Sequence, residues 1–201
     1  MSTLEAKRYD QSLWLLEKLR LTQLREQLLA DVYGDVLEIG AGTGANIPFY
    51  NKSTTVTAVD IIPNRLAGAK KKIETGSDNG RIYLSVANAQ ELPFVRDKFD
   101  HVISTLVFCS IPEPLHALLE IKRVLRPDGQ LWMLEHVRGL TPVTQRLTDW
   151  LHPVWFALQG ECHLNRETAV TVQQAGFEIE NSCVYGRGFL QMIQAKIPST
   201  G

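Results

Sequence analysis

The sequence predicts an α/β protein built on an open, mostly parallel sheet with helices on both faces. Three observations lead there: short apolar or β-branched runs alternate with helical stretches, the first two of these runs end in Gly40 and Asp60, and two strand-like runs close the chain together. The 201 residues read as a single domain spanning 1–201. Hydrophobic residues make up 44% and charged residues 21%, which suits a core with a solvated surface and excludes a disordered or low-complexity chain.

The elements follow in order. Residues 4–30 are rich in Leu, Lys, Arg, Glu and Gln and read as an N-terminal helix, with Leu13, Leu16, Leu21, Leu24 and Leu28 on a broad apolar face. Residues 35–40 form the first strand, and the glycines after it open a helical stretch. Residues 55–60 are a β-branched strand ending in Asp60, and 63–74 a helix with Pro63 suited to its first turn. Strands over 81–86 and 99–106 follow, then a helix over 114–125 with Leu115, Leu118, Ile121 and Leu125 near one face. Arg126-Pro-Asp-Gly129 has turn composition and leads into a strand over 130–136. Asn165 is placed to cap a helix that runs to Ala175 and stops at Gly176. Strands over 177–185 and 189–196, separated by Gly186 and Gly188, complete the sheet with the last strand antiparallel.

A helical insertion over about 138–164 interrupts the alternation. Val143, Leu147, Trp150, Leu151, Val154 and Leu158 share one helical face, and Pro153 is expected to break the segment into two short helices. Three readings stand for it: core packing, an apolar lid over a substrate pocket, or contact with a membrane surface through 142–158.

Charge and cysteine usage exclude several classes. Lys and Arg number 21 against 22 Asp and Glu, a formal net charge of -1 without the basic excess of a nucleic-acid binder. Lys70-Lys71-Lys72 reads as a solvated helix face. Cys109, Cys162 and Cys183 lie far apart without CxxC spacing, so neither a disulfide framework nor a metal site is expected. The opening MSTLEAKRYD lacks the apolar run of a signal peptide, and the expected location is cytoplasmic.

The most informative stretch is Glu38-Ile-Gly40-Ala-Gly42-Thr-Gly44 at the carboxyl end of the first strand. Glycines there let backbone pass close to a ligand, and Asp60, closing the second strand, can accept both hydroxyls of a ribose. Gly40, Gly42 and Ala45 also satisfy the dinucleotide spacing, which keeps a nicotinamide oxidoreductase in view. Glu38 speaks against it: a carboxylate is uncomfortable beside a pyrophosphate and suitable for a positively charged amino acid moiety.

These residues resemble a class I S-adenosylmethionine-dependent methyltransferase. Glu38 to Gly44 looks like that family's first motif, and Asp60 like its ribose-binding acid. Val86-Ala-Asn88-Ala-Gln-Glu-Leu-Pro93-Phe94 looks like its adenine loop, and Leu125 to Gln130 like the turn into its fifth strand. The adenine loop often carries Asp where this chain has Asn88, whose amide oxygen can still accept from an adenine amino group. The resemblance implies a seven-stranded Rossmann-like methyltransferase fold, with S-adenosylmethionine as co-substrate and no metal. It implies a cofactor set of Glu38, Gly40, Ala41, Gly42, Gly44, Asp60, Ile61, Asn88, Ala89 and Thr105.

A narrower resemblance covers roughly 35–196. Ser104 to Ser110, Glu135-His136-Val137, Leu151 to Trp155 and Gly160-Glu-Cys162-His-Leu-Asn165-Arg166-Glu-Thr168 look like the methyltransferase-like 7 group of alkyl-thiol S-methyltransferases. That group's animal members carry an N-terminal hydrophobic anchor that the opening residues here do not match. Phospholipid N-methyltransferases and quinone C-methyltransferases border on the same pattern. A small-molecule acceptor follows, and a non-catalytic cofactor-binding module is the alternative from outside enzymology. No N/D-P-P-Y/F tetrapeptide follows the fourth strand, so amino-directed nucleic-acid methylation is not expected.

Methyl transfer from a sulfonium is an in-line displacement, so alignment and exclusion of water supply much of the catalysis. Candidate groups therefore lie just past the strand ends: His136 as base or orienting group, and Cys109 lining the methyl pocket. Arg166 is a further candidate for an acidic group or the cofactor, and Tyr9 and Asp10 for closing over it. His152 and His163 read as surface or lid residues.

Overall fold

The computed structural model describes residues 21–76, 81–139, 141–159, 163 and 165–198. Seven strands form one sheet in the order β3-β2-β1-β4-β5-β7-β6. They are β1 (Gly34–Ile39), β2 (Thr54–Asp60), β3 (Ile82–Val86), β4 (Phe99–Thr105), β5 (Leu125–His136), β6 (Glu178–Tyr185) and β7 (Leu190–Lys196). Neighbours from β3 through β5 pair in parallel, while β7 runs antiparallel to both β5 and β6. The helices are α1 (Thr22–Leu29), α2 (Pro63–Thr75), α3 (Pro114–Val124), α4 (Pro142–Gln159) and α5 (Thr168–Gln174).

Both faces of the central strands are covered, and the period-two alternation of side chains sorts the core into two layers. Val102, Leu131 and Met133 point to one face, against Leu118 and Ile121 of α3 and Val172 of α5. Ile103, Trp132 and Leu134 point to the other, against Leu24 and Leu28 of α1 and Leu66 of α2. A helix three or four residues in period meets a strand two in period, so each layer takes every other strand residue and every third or fourth helix residue.

The structure corrects several sequence expectations. The stretch after the glycines is a single 3-10 turn, Ile47–Phe49, because the chain must begin β2 at Thr54 and leaves no length for a longer helix. Residues 126–129 belong to a continuous strand, yet the pairing jumps from Phe99–Leu125 to His101–Gln130, so the turn residues bulge out opposite Asp100. Pro153 does not divide α4. It lies on the exposed side, where water can take the carbonyl its missing N–H leaves unpaired. Asn165 does not cap α5, whose N-cap is Glu167, since Arg138 N donates to Arg166 O at 2.9 Å and holds the preceding backbone out of the helix. The 4–20 part of the first helix, with Tyr9 and Asp10, lies outside the described residues.

On the α1 side, Trp132 Nε1 donates to His101 Nδ1 at 3.1 Å, so Nε2 carries the proton of a neutral ring and is buried without a partner. Burial holds His101 below its ordinary value of 6.5, against the opposing pull of Asp100. The unfolded chain therefore takes up this proton first on acidification, and stability falls as the pH drops below about 6.5. Urea midpoints of wild type and His101→Gln should converge between about pH 7.5 and about pH 5.5; a pH-independent gap would contradict the assignment.

Candidate functional site

The strand order reverses between β1 and β4, the place where open α/β sheets bind ligands at their carboxyl ends. Three carboxylates are buried there: Glu38 on β1, Asp60 on β2 and Glu135 on β5, at 3%, 4% and 0% exposure. Each is answered by donors that shape the neighbouring loop.

Asp60 clamps the glycine loop. Its Oδ2 accepts from Gly42 N at 2.9 Å and its Oδ1 from Ile62 N at 2.8 Å. Gly40, Gly42 and Gly44 sit at φ +65°, +57° and +78°, the left-handed region where a side chain is strained. Because Gly42 N–H is engaged by a carboxylate, the loop does not present that donor to a phosphate. This separates it from a pyrophosphate cradle that shares its glycine spacing.

Glu38 sits beneath the loop in a network centred on Asn46. Asn46 Nδ2 donates to Glu38 Oε1 and Thr105 Oγ1, both at 3.0 Å, while Tyr50 O–H donates to Glu38 Oε2 at 2.9 Å. Arg25, buried on α1, donates to Asn46 Oδ1 at 2.7 Å and ties that helix to the site. Burial pushes the Glu38 carboxyl from 4.5 up to about 7, against the pull of Tyr50, Arg25 and Asn46, with Asp60 adding to the rise.

Glu135 builds the third wall. It accepts from Ser104 Oγ at 2.6 Å, Val107 N at 2.9 Å and Phe108 N at 3.0 Å, and so folds the chain sharply after β4. Leu106 adopts φ +59° in that turn, a backbone strain that the surrounding bonds must hold.

Between these walls lies a cavity of about 190 Å³, lined by Gly40, Asp60, Ile61, Asn88 and Ala89 together with apolar Ile39, Val59, Ala87, Leu106, Val107 and Ile111. Ile61 is 60% exposed at its edge. A larger cavity of about 480 Å³ lies at the amino ends of β2 and β3, ringed by Lys52, Lys72 and Arg81. The smaller one is the candidate site, because it alone of the two stands at the strand-order reversal and holds the motif residues.

Five of the sequence-predicted residues meet in this cavity: Gly40, Asp60, Ile61, Asn88 and Ala89. Of the other predicted residues, Glu38 and Thr105 accept from Asn46 and Gly42 donates to Asp60, while Ala41 and Gly44 belong to the same glycine loop. Asn88 Oδ1 accepts from Gln90 N at 3.0 Å, which folds the adenine-like loop and leaves the amide oxygen one further lone pair. Cys109 is buried against Leu106 O and Ser110 Oγ, at 3.8 and 3.7 Å, and does not line the cavity. His136 ends β5 opposite Leu190, with Nδ1 buried and unpartnered. Arg166 donates to Ile111 O at 2.8 Å, fixing a cavity wall. Cys162 lies outside the described residues. Sequence reading missed Asn46, Tyr50 and Arg25, whose signal was an Asn-aromatic pair just past the glycines and an Arg inside an apolar helix face.

Val143 and Trp150 on α4 are 77% and 74% exposed, so the core-packing reading fails at both. Among the described residues no helix is long and apolar enough to cross a membrane, and no three potential metal-ligating side chains cluster.

The raised Glu38 value carries a sign. The unfolded chain releases this proton near 4.5 and the folded chain near 7, so stability drains away as the pH rises through that interval. Glu38→Gln should gain about 1–2 kcal/mol over wild type between about pH 5 and about pH 8 in urea unfolding. A difference that does not change with pH would refute the buried-carboxylate account.

A family model described as a methyltransferase domain matches residues 37–133. The thiol S-methyltransferase TMT1B of Rattus norvegicus is 36% identical over 146 residues, covering 71% of this chain and 59% of that protein. The phosphatidylethanolamine N-methyltransferase of Cereibacter sphaeroides is 34% identical over 103 residues, covering 51% of each chain. The chain thus spans well under two thirds of the length of these relatives. Among solved structures, a SAM-dependent methyltransferase from Methanosarcina mazei superposes with a TM-score of 0.68 at 21% identity, covering 83% of this chain and 94% of that one. With its sheet order, its glycine loop clamped by Asp60 and these likenesses, the chain belongs to the class I S-adenosylmethionine-dependent methyltransferases.

Proposed function

We propose that the chain transfers a methyl group from S-adenosylmethionine to a small apolar acceptor, a thiol being the favoured one. The observation that carries this reading is the Asp60 carboxylate at the strand-order reversal, pre-clamped by two amides beside an apolar slot. A carboxylate offers about four lone-pair directions. Gly42 and Ile62 use two of them, and two remain for the paired hydroxyls of a ribose. Ile61, Ala87 and Ile111 supply apolar surface for a purine, with the Asn88 amide at its edge. Glu38 sets a negative charge under the loop, favourable to an ammonium when ionised.

S-adenosylmethionine supplies an electrophilic methyl on a sulfonium. The chain's own part is to hold the donor by Asp60 and the glycine loop, to exclude water with the 106–112 turn, and to orient the acceptor. His136, whose Nδ1 is buried and unpartnered at the end of β5, is assigned to orienting that acceptor. The thiol preference is supported by the 36% identity to a thiol S-methyltransferase. The same proposal takes residues 1–201 as one domain in the cytoplasm, with 138–164 as a lid over the acceptor. A second reading, methylation of a lipid amine, is favoured by the exposed Val143 and Trp150 beside exposed Arg146 on α4, a face suited to an anionic membrane surface.

Release of S-adenosylhomocysteine should be stimulated by small alkyl thiols and not by amines, phenols or phospholipid vesicles supplied separately. Asp60→Ala should abolish that release together with cofactor binding in calorimetry. Stimulation by vesicles alone would favour the lipid reading, and unchanged affinity in Asp60→Ala would remove the ribose assignment.

A further inference from the structure

The larger cavity, at the amino ends of β2 and β3, has no part in the methyl-transfer site. It measures about 480 Å³, a volume that suits a small molecule, and shares no lining residue with the donor cavity.

Its charge is one-sided. Lys52, Lys72 and Arg81 line it, and its described lining residues include no Asp or Glu. The whole chain carries a formal net charge of -1, so this local excess does not follow from composition. Among the described residues, none of the three cations pairs with a carboxylate. Within the lysine triplet, Lys70 reaches Glu74 at 3.9 Å, whereas Lys72 Nζ donates to Gly44 O at 3.5 Å. That long bond leaves Lys72 two further N–H groups.

The other polar hydrogens of the wall are mostly spent. Thr54 Oγ1 donates to Val32 O at 3.3 Å, Thr75 Oγ1 to Lys71 O at 2.9 Å, and Tyr50 O–H to Glu38 Oε2 at 2.9 Å. Asn51 accepts from Ser53 N through Oδ1, at 3.2 Å, which leaves its NH2 as a donor. What the cavity still offers a polar ligand is therefore two ammonium groups, one guanidinium and one amide NH2. Beside them Ile47 and Ile82 are half-buried and Pro48 is exposed, so apolar surface remains in water on the same wall.

Three cations suit a group that carries close to two negative charges. A phosphate monoester carries about -1.5 to -2 at neutral pH, with three strong acceptor oxygens. We propose that this cavity binds a soluble phosphate monoester bearing a short apolar chain, while the methyl donor occupies the other cavity. The phosphate oxygens accept from Lys52, Lys72 and Arg81, with the planar fork of Arg81 taking two of them. The chain lies against Ile47, Pro48 and Ile82, and binding relieves the repulsion among three like charges. The site stands whichever acceptor the enzyme methylates.

The test titrates hexyl phosphate, inorganic phosphate and hexanol separately into the full chain by calorimetry, with S-adenosylhomocysteine already saturating. Hexyl phosphate should bind at a single site and weaken as salt is added. Inorganic phosphate should bind at least about tenfold more weakly, because it buries no methylene groups. Hexanol should give no saturable heat. In the double variant Lys52→Gln with Arg81→Gln, hexyl phosphate should lose about tenfold or more in affinity. S-adenosylhomocysteine affinity should be unchanged there, which also reports that the variant folds. Vesicles of phosphatidic acid, the same monoester held in a bilayer, should not displace hexyl phosphate. The proposal is overturned if wild type does not bind hexyl phosphate, if inorganic phosphate binds equally well, or if the double variant binds undiminished. Displacement by S-adenosylhomocysteine or by the vesicles would overturn it as well.

Discussion

A carboxylate taken out of water must find donors inside the protein, and this constraint organises the whole carboxyl edge of the sheet. Glu38, Asp60 and Glu135 are buried at the ends of β1, β2 and β5, and each draws in the loop that supplies its partners. Asp60 fixes the glycine loop and the start of α2. Glu38 gathers Asn46 and Tyr50 and, through Arg25, the first helix. Glu135 turns the chain after β4 and so sets the far wall of the cavity. The protein's own bonds thus hold the loops of the site in place, a condition for alignment to contribute to catalysis.

The same three carboxylates bear on the ligand's chemistry, Glu38 through a carboxyl that burial raises to about 7. A polyphosphate would meet a field of its own sign and a Gly42 donor already in use, whereas a sulfonium with an ammonium and a ribose meets complementary groups. Opposite this fixed edge stands the α4 arm, attached through Arg138, His163 and Arg166 and presenting Trp150 outward.

The fold was largely legible in the sequence because strand runs of period two and the residues that end them are local signals. Residues 55–60, 63–74 and 177–196 fell within a residue or two of their structural bounds. The errors came where tertiary demands override local preference. A short return path turned the expected helix after Gly44 into one 3-10 turn, an exposed position let α4 run through Pro153, and a bond to Arg138 pulled Asn165 out of the capping role. Motif residues located the cavity well at Gly40, Asp60, Ile61, Asn88 and Ala89. They did not separate the residues that line it from those that do not, because a one-dimensional motif carries no direction. Thr105 points to Asn46, and Cys109 packs into the β4 turn. Arg25 stood out only as an Arg inside an apolar helix face, and its bond to Asn46, 21 residues on, had no local signal.

Amide hydrogen exchange with and without S-adenosylhomocysteine tests the central claim, that the donor lies at the strand-order reversal, most directly. Added protection should appear at residues 40–44, 60–62, 87–90 and 106–111, the loops that the three carboxylates and Asn88 hold in place. Protection confined to the larger cavity around Lys52, Lys72 and Arg81, or no change in those four loops under saturating ligand, would contradict it.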